Sequence, residues 1–341
     1  MPAENVTVSA EFTFSDGYGA RLAGYSLSIQ EDGDIGVKFY MSLSDDIANN
    51  TNAKMRFVLP VDSRVSSDIK TKIIDIPIGE ADNAEIDGKS YYVFKCPIAA
   101  KEMTSEIKAR IYVGDTAYGN EYKYTVKEYA DYLIAYAYND DHTVKNQKYA
   151  DALPLVKAML CYGASAQKLF GNNTSDLADD GVDYTGDSAD DIKTAVEAVI
   201  AQHTLTDLTK EQIGEGLTFS GTSLNLGSKT AYTLHYTLAD GAAPPAITSM
   251  TEGITVSMMK NGGEVRYYLK NISAGHLLDN IEIKIGEKQL TVNPASFMYA
   301  ALTAENTQEN DYTNLKNAVA ALYNFDKEAK DYETKKGTEG R

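Results

Sequence analysis

Apolar and polar residues alternate with a period of two through most of the first 121 residues, which predicts β-strands. In GDIGVKFYMSL, from Gly33, the residues Val37, Phe39, Met41 and Leu43 share one strand face. VTVSAEFTF, near the start, has the same character. Glu31-Asp32-Gly33-Asp34 and Asp87-Gly88 are turn signals, and Pro60 and Pro77 mark edges or loops. From residue 125 the period lengthens to that of a helix. Val126, Ala130, Leu133 and Ala137 line one helix face, then Leu155, Met159, Tyr162, Ala166 and Leu169 line another. Helices are expected over 125–138 and 153–170, with Thr125 as a cap, Gly171 as a stop and a polar loop at Asp140-Asp141-His142. Short strands followed by a helical pair predict an antiparallel β-sandwich with a helical hairpin packed across one end or face.

The second half repeats this order. KCPIAAKEMTSEIKARI, from Lys95, aligns without a gap on LKNISAGHLLDNIEIKI, from Leu269. Ile98, Met103, Ile107, Ala109 and Ile111 then face Ile272, Leu277, Ile281, Ile283 and Ile285. GDIGVKFYMSL resembles SKTAYTLHYTL, from Ser228, where Tyr232, Leu234, Tyr236 and Leu238 alternate. YTVKEYADYLIAYA, from Tyr124, resembles LTVNPASFMYAALT, from Leu290, with Val292, Ser296, Tyr299 and Thr303 as the matching face. Asn293 and Pro294 suit a helix start. Ala318, Leu322, Phe325 and Ala329 form the face of a last helix. Four blocks in one order predict a tandem duplication, and two copies of so long a period exclude a solenoid. The expected fold is α+β: two tandem units, each an antiparallel β-sandwich followed by a helical hairpin. Residues 1–172 form the first unit and 213–341 the second, diverged one. Residues 173–212 are a linker and a bridging helix. That helix has Ser188 as its cap and Ile192, Ala195, Val196, Val199 and Ile200 as its stripe, and it is expected to brace the junction.

Composition narrows the partners. The net charge of −17 repels nucleic acid and anionic membranes, both of which need a basic face. No run of about 18 apolar residues is present to span a membrane. Cys96 and Cys161 read as small buried thiols, with no disulfide indicated. The start, Met1-Pro2-Ala3, leads directly into strand-like sequence and reads as a segment of a longer protein.

Motifs for chemistry are sparse. There is no G-x-S-x-G, no phosphate-binding glycine loop and no H-E-x-x-H. His142, His203, His235 and His276 match no metal spacing. The acidic run Asp179-Asp180-Gly181-Val182-Asp183 resembles a calcium loop in composition but fails the EF-hand pattern. The expectation is no enzyme, no cofactor and no metal. Tyrosine is the remaining signal: 24 are present and no tryptophan. Tyr122, Tyr124, Tyr129, Tyr132, Tyr136 and Tyr138 crowd the start of the first hairpin. With Val126, Ala130 and Leu133 facing the core, Tyr132, Tyr136 and Tyr138 fall at its border or outside, and are the candidate partner-binding residues. Met298 and Leu302 are the counterparts of Tyr132 and Tyr136.

TVKEYADYLIAYAYND followed by LVKAMLCYGASAQKLFGNNTSDLA resembles a module repeated in large surface proteins of gut Firmicutes, over roughly residues 25–180 and in diverged form over 213–332. The resemblance implies a secreted or cell-surface location, a multi-domain parent and no catalysis by the module. Similar proteins include immunoglobulin-binding surface proteins that act as B-cell superantigens on antibody variable-region framework. It therefore implies a host protein partner, with the antibody heavy-chain variable domain as the specific expectation, for a monomeric module. A glycan-binding module and a passive spacer are the alternatives.

Overall fold

The computed structural model describes residues 19–28, 35–61, 71–202, 205–227 and 230–339. The strand-like stretch near the start, the Glu31–Asp34 turn signal and His203 lie outside the described residues. In chain order the first half contains β1 (Ala20–Ser28), β2 (Gly36–Leu43), the short helix α1 (Asp45–Ala48), β3 (Ala53–Pro60), β4 (Thr71–Pro77), β5 (Asp82–Ile86), β6 (Lys89–Pro97), β7 (Ile107–Val113), β8 (Thr116–Tyr124), α2 (Val126–Ala137) and α3 (Gln147–Phe170). The second half contains α4 (Ala189–Gln202), β9 (Leu217–Leu226), β10 (Thr230–Leu238), β11 (Ile247–Ser249), β12 (Thr255–Asn261), β13 (Glu264–Ile272), β14 (Ile281–Ile285), β15 (Lys288–Val292), α5 (Ala295–Thr303) and α6 (Thr313–Glu339). The fold is α+β, with antiparallel sheets and helices.

The first half has two sheets, ordered β1-β2-β6-β5 and β4-β3-β7-β8. Val37, Phe39 and Met41 turn the same face of β2 inward and are fully buried. Phe39 meets Phe57 of the other sheet at a ring separation of 5.4 Å. The second half also has two sheets, β12-β13-β10-β9 and the three-stranded β11-β14-β15. Tyr232, Leu234 and Tyr236 are the buried face of β10. All ten residues paired by the Lys95/Leu269 alignment are buried.

The helices start where their caps allow. Thr125 accepts the Glu128 N–H at 3.0 Å while Glu128 accepts the Thr125 N–H at 2.8 Å, a reciprocal box that fixes the start of α2. Gly171 ends α3 in the left-handed region, at φ 58°. α3 begins six residues before the expected 153, capped by the Asn146 side chain on the Tyr149 N–H. Pro154 therefore sits inside it, at the cost of one backbone hydrogen bond.

Two features shift the registers expected from sequence. Asn271, at φ 66°, is an unpaired bulge residue between Lys270, opposite Ala231, and Ile272, opposite Thr230. In the second hairpin, Val292 stays in the sheet opposite Ile281, and Asn293 Oδ1 accepts the Ala295 N–H at 2.8 Å. α5 consequently starts later than the alignment expects. Its buried face is Ala295, Met298, Ala301 and Leu302, while Ser296 and Thr303 are exposed and Tyr299 is half-buried.

The helices join the two halves. α3 and α6 are the most extensively packed helix pair, and Tyr162 of α3 stacks on Phe325 of α6 with ring centres 5.8 Å apart and 13° between planes. Residues 184–187 run along α6. Asp187 exchanges hydrogen bonds with the Asn324 side chain and pairs with Lys327 at 2.7 Å, and Tyr184 donates to Glu328. The stretch read as a linker is thus a packed strap. α4, expected to brace the junction, has α5 and α6 as its main neighbours, with Ile192 and Val196 buried. Ser188 caps it as expected.

Candidate functional site: a tyrosine platform on the first helical hairpin

Tyr129, Tyr132 and Tyr136 follow one another at i, i+3 and i+7 on α2, so they lie along one helix face. Tyr129 is fully buried, Tyr132 half-buried, and Tyr136 is 42% exposed. The face thus leads outward from the core. At its inner end Tyr25 of β1 packs on Tyr124 at 4.0 Å and edge-on to Tyr129 at 5.9 Å. Further out Tyr132 meets Tyr149 of α3 edge-on at 6.5 Å and stacks on Tyr136 at 4.2 Å, 26° from parallel. The Lys145 ammonium lies 4.3 Å from the Tyr136 ring centre. Burial raises the hydroxyl pKa of Tyr124, Tyr129 and Tyr132, and that of Tyr149 to about 12, so these rings remain neutral donors at physiological pH.

The chain then closes a tight loop. Tyr138 bridges Val144, the Asn139 N–H donates to the Thr143 carbonyl at 2.9 Å, and Asp141 accepts from the Thr143 hydroxyl at 2.6 Å. His142 turns the loop at φ 62°. The N–H groups of Lys145 and Asn146 both donate to the Ala137 carbonyl, tying the loop to the end of α2. Tyr138 and Val144 are 40% and 47% exposed. Of the three tyrosines expected at a partner surface, the half-buried Tyr132 and the exposed Tyr136 stack on each other, while the exposed Tyr138 pairs with Val144 across the loop. Val144, paired with Tyr138, and Lys145, over the Tyr136 ring, carried no signal in sequence because the loop places them.

The remaining candidates fall elsewhere. Cys96 is buried and Cys161 is only half-buried, which corrects the expectation of two buried thiols. Burial pushes the Cys161 thiol up to about 11. The acidic run after α3 is held by lysines. The Lys127 ammonium takes the carbonyls of Ala178 and Asp180, and Lys157 takes that of Asp183. Among the described residues no cluster of His, Cys, Asp and Glu is placed to hold a metal.

His235 does acquire partners that sequence reasoning missed, because they come from the two strands beside it, β9 and β13. Its Nε2 lies 2.8 Å from Ser223 Oγ and its Nδ1 3.6 Å from Glu264. The order resembles nucleophile, base and acid. Both Glu264 oxygens, however, accept from Arg266, at 2.7 and 2.9 Å, which draws the carboxylate away from the ring. Ser223, His235, Glu264 and Arg266 therefore read as a surface polar network along one sheet face. A narrow crevice lies between the halves, lined by Ile35 and Tyr162 on one side and Ile272, Leu277, Phe325 and Asp326 on the other. Its free space of about 20 Å³ suits a water molecule rather than an organic ligand.

Comparison with protein-family models, with curated proteins and with solved structures found no match.

Proposed function

We propose that the chain is a non-enzymatic binding module of a bacterial surface or secreted protein, and that its partner is a host protein, the immunoglobulin heavy-chain variable domain. The observation that carries a binding role is the exposure of Tyr136 at the end of α2 and of the paired Tyr138 and Val144 just after it, three of the seven large hydrophobic residues most exposed among those described. A passive spacer has no need of such a patch, and tyrosine supplies stiff, amphipathic area suited to protein contacts. The loop behind the patch is already closed by hydrogen bonds, which lowers the ordering cost of docking. The antibody partner and the extracellular location rest on the resemblance of the TVKEYADYL and LVKAML segments to surface-protein modules.

The architecture behind this reading is a tandem duplication of a β-sandwich and a helical hairpin. Strand order supports it: β1-β2-β6-β5 matches β9-β10-β13-β12, and β3-β7-β8 matches β11-β14-β15. A glycan platform is the second reading. It is weakened because the Tyr136 ring already packs against Tyr132 and Lys145, which leaves little free face for a sugar to stack on. Biolayer interferometry against polyclonal IgA, IgM and Fab, with a glycan array alongside, tests the proposal. Binding that follows heavy-chain variable family, whatever the antigen specificity, supports it; silence on every antibody with a glycan hit overturns it.

A further inference from the structure

The hairpin between β12 and β13 turns on Asn261-Gly262-Gly263-Glu264, and Asn261-Gly262 is the sole Asn-Gly pair in the chain. Asn261 ends β12 and pairs with Glu264, so Gly262 and Gly263 form a two-residue loop. Gly262 turns it at φ 57°, the left-handed conformation that such a loop asks of its first central residue. Every other asparagine precedes a residue that carries a side chain.

Two observations show that the reacting groups at this turn are free. Asn261, Gly262 and Gly263 are all exposed, and a Cβ added to Gly262 would meet nothing within 4 Å, so the space beside its backbone is open. Neither the Asn261 carboxamide nor the Gly262 N–H hydrogen-bonds a described residue. The loop is nevertheless held in place: the Leu238 N–H donates to the Gly263 carbonyl at 2.7 Å.

We propose that Asn261 is a site of spontaneous covalent modification, where attack by the Gly262 backbone nitrogen converts the asparagine to isoaspartate and aspartate, with water as co-reactant. In the first step the Gly262 nitrogen gives up its proton and bonds to Asn261 Cγ. The Cγ–Nδ2 bond breaks, releasing ammonia and leaving a cyclic imide. In the second step water adds to one of the two imide carbonyls. Opening at the backbone carbonyl leaves Gly262 joined through Cγ, an isoaspartyl linkage with an extra carbon in the main chain; opening at Cγ leaves ordinary aspartate. Either product puts a carboxylate opposite Glu264, a like-charge cross-strand pair. Glu264 is held by Arg266 and lies beside His235, so the change reaches the polar network on that sheet face. This site is separate from the tyrosine platform and does not depend on an antibody partner.

Ageing the full chain in mildly alkaline buffer, followed by peptide mapping with enzymatic methylation of isoaspartate, tests it. A synthetic peptide of residues 255–266 reports the rate for the same sequence without the fold. Isoaspartate is expected at position 261, accumulating about tenfold or more faster than at any other asparagine, because only glycine leaves the following nitrogen unhindered. In Asn261→Gln, whose longer side chain must close a larger and less favourable ring, methylation of this segment disappears. The turn is exposed, so the variant keeps the fold, with the thermal midpoint as its check. No isoaspartate at 261 in the full chain under conditions that convert the peptide, equal accumulation at other asparagines, or methylation of the segment that survives Asn261→Gln would each overturn the proposal.

Discussion

Tyr162 and Phe325 stack with their planes nearly parallel, ring centres 5.8 Å apart, and join α3 to α6. Leu155, Met159, Tyr162 and Ala166 repeat at the spacing of Ala318, Leu322, Phe325 and Ala329. On the proposed duplication, a residue therefore packs against its own counterpart. That is the contact pattern of an isologous, two-fold interface, here formed within one chain. Asn314, near the start of α6, reaches the Lys168 carbonyl near the end of α3 at 3.5 Å, as an antiparallel seam of this kind requires.

Truncating either ring should weaken the whole chain. Phe325→Ala removes a nearly buried aromatic and is expected to cost about 3–5 kcal/mol in urea unfolding. The double variant with Tyr162→Ala should cost clearly less than the sum of the two, because residues in contact are not additive. Strict additivity would contradict the stacked seam.

On the proposed duplication the next position pairs Gly163 with Asp326, where the two halves use different chemistry. Gly163 faces the turn at Ala100–Glu102, where an added Cβ would lie 2.5 Å from Met103 Sδ and 3.3 Å from the Ala100 carbonyl. Asp326 faces the turn at Ala274–Leu277 and accepts the N–H groups of Gly275 and Leu277, both at 2.8 Å. Gly163→Ala should therefore destabilise by about 1–3 kcal/mol through overpacking, read as a lowered urea midpoint with unchanged slope.

Asp326 makes stability depend on pH. Burial is the main cause that pushes its carboxyl up to about 6; the two N–H donors and Lys330 pull it down, and Asp279 raises it further. A folded pKa above the unfolded one means that the folded state binds the proton more tightly. The stabilisation is complete below the unfolded pKa of about 3.9 and is lost as pH rises through about 6. Between pH 7 and pH 5 the wild type should gain about 1 kcal/mol relative to Asp326→Asn, which keeps an acceptor but cannot titrate. Parallel pH profiles of the two proteins in thermal unfolding would rule this out.

Asp75 has the opposite sign. Hydrogen bonds from Arg56, the larger effect, and from Lys54 hold its carboxyl at about 2. Its contribution is present above the unfolded pKa of about 3.9 and disappears as pH falls through about 2. The group is partly exposed, so Asp75→Asn should cost no more than about 1 kcal/mol at pH 7. A loss in urea midpoint corresponding to several kcal/mol would show that the β3–β4 pairing depends on this cluster far more than solvent screening allows.

Period-two and helical patterns were sufficient to read the strands, both hairpins and the capping of α2, because each is set by neighbours along the chain. The ten buried positions of the Lys95 and Leu269 blocks were legible for the same reason. Registers were less so. One bulge residue, Asn271, moves every side chain of β13 before it by one place, and the Asn293-Pro294 turn delays α5; neither disturbs the hydrophobic pattern enough to announce itself. The seam was not legible. An apolar stripe on α3 says that something covers it, and only the tertiary fold says that α6 does. At the candidate site, the helix pattern placed Tyr132 and Tyr136 at the border of the core. Lys145 joins Tyr136 through a loop closed by the Asn139 and Thr143 backbone, a contact no periodicity encodes.

The most direct measurement is interferometry of the wild type and of Tyr136→Ser/Tyr138→Ser against Fab fragments sorted by heavy-chain variable family. Both side chains are well exposed, so the fold should survive, with the thermal midpoint as its check. A docking role predicts family-dependent Fab binding by the wild type and a loss of about tenfold or more in the double variant, as for aromatic anchors of an interface. Equal binding by the two proteins would remove the tyrosine platform from the contact, and no Fab binding by the wild type would contradict the antibody partner itself.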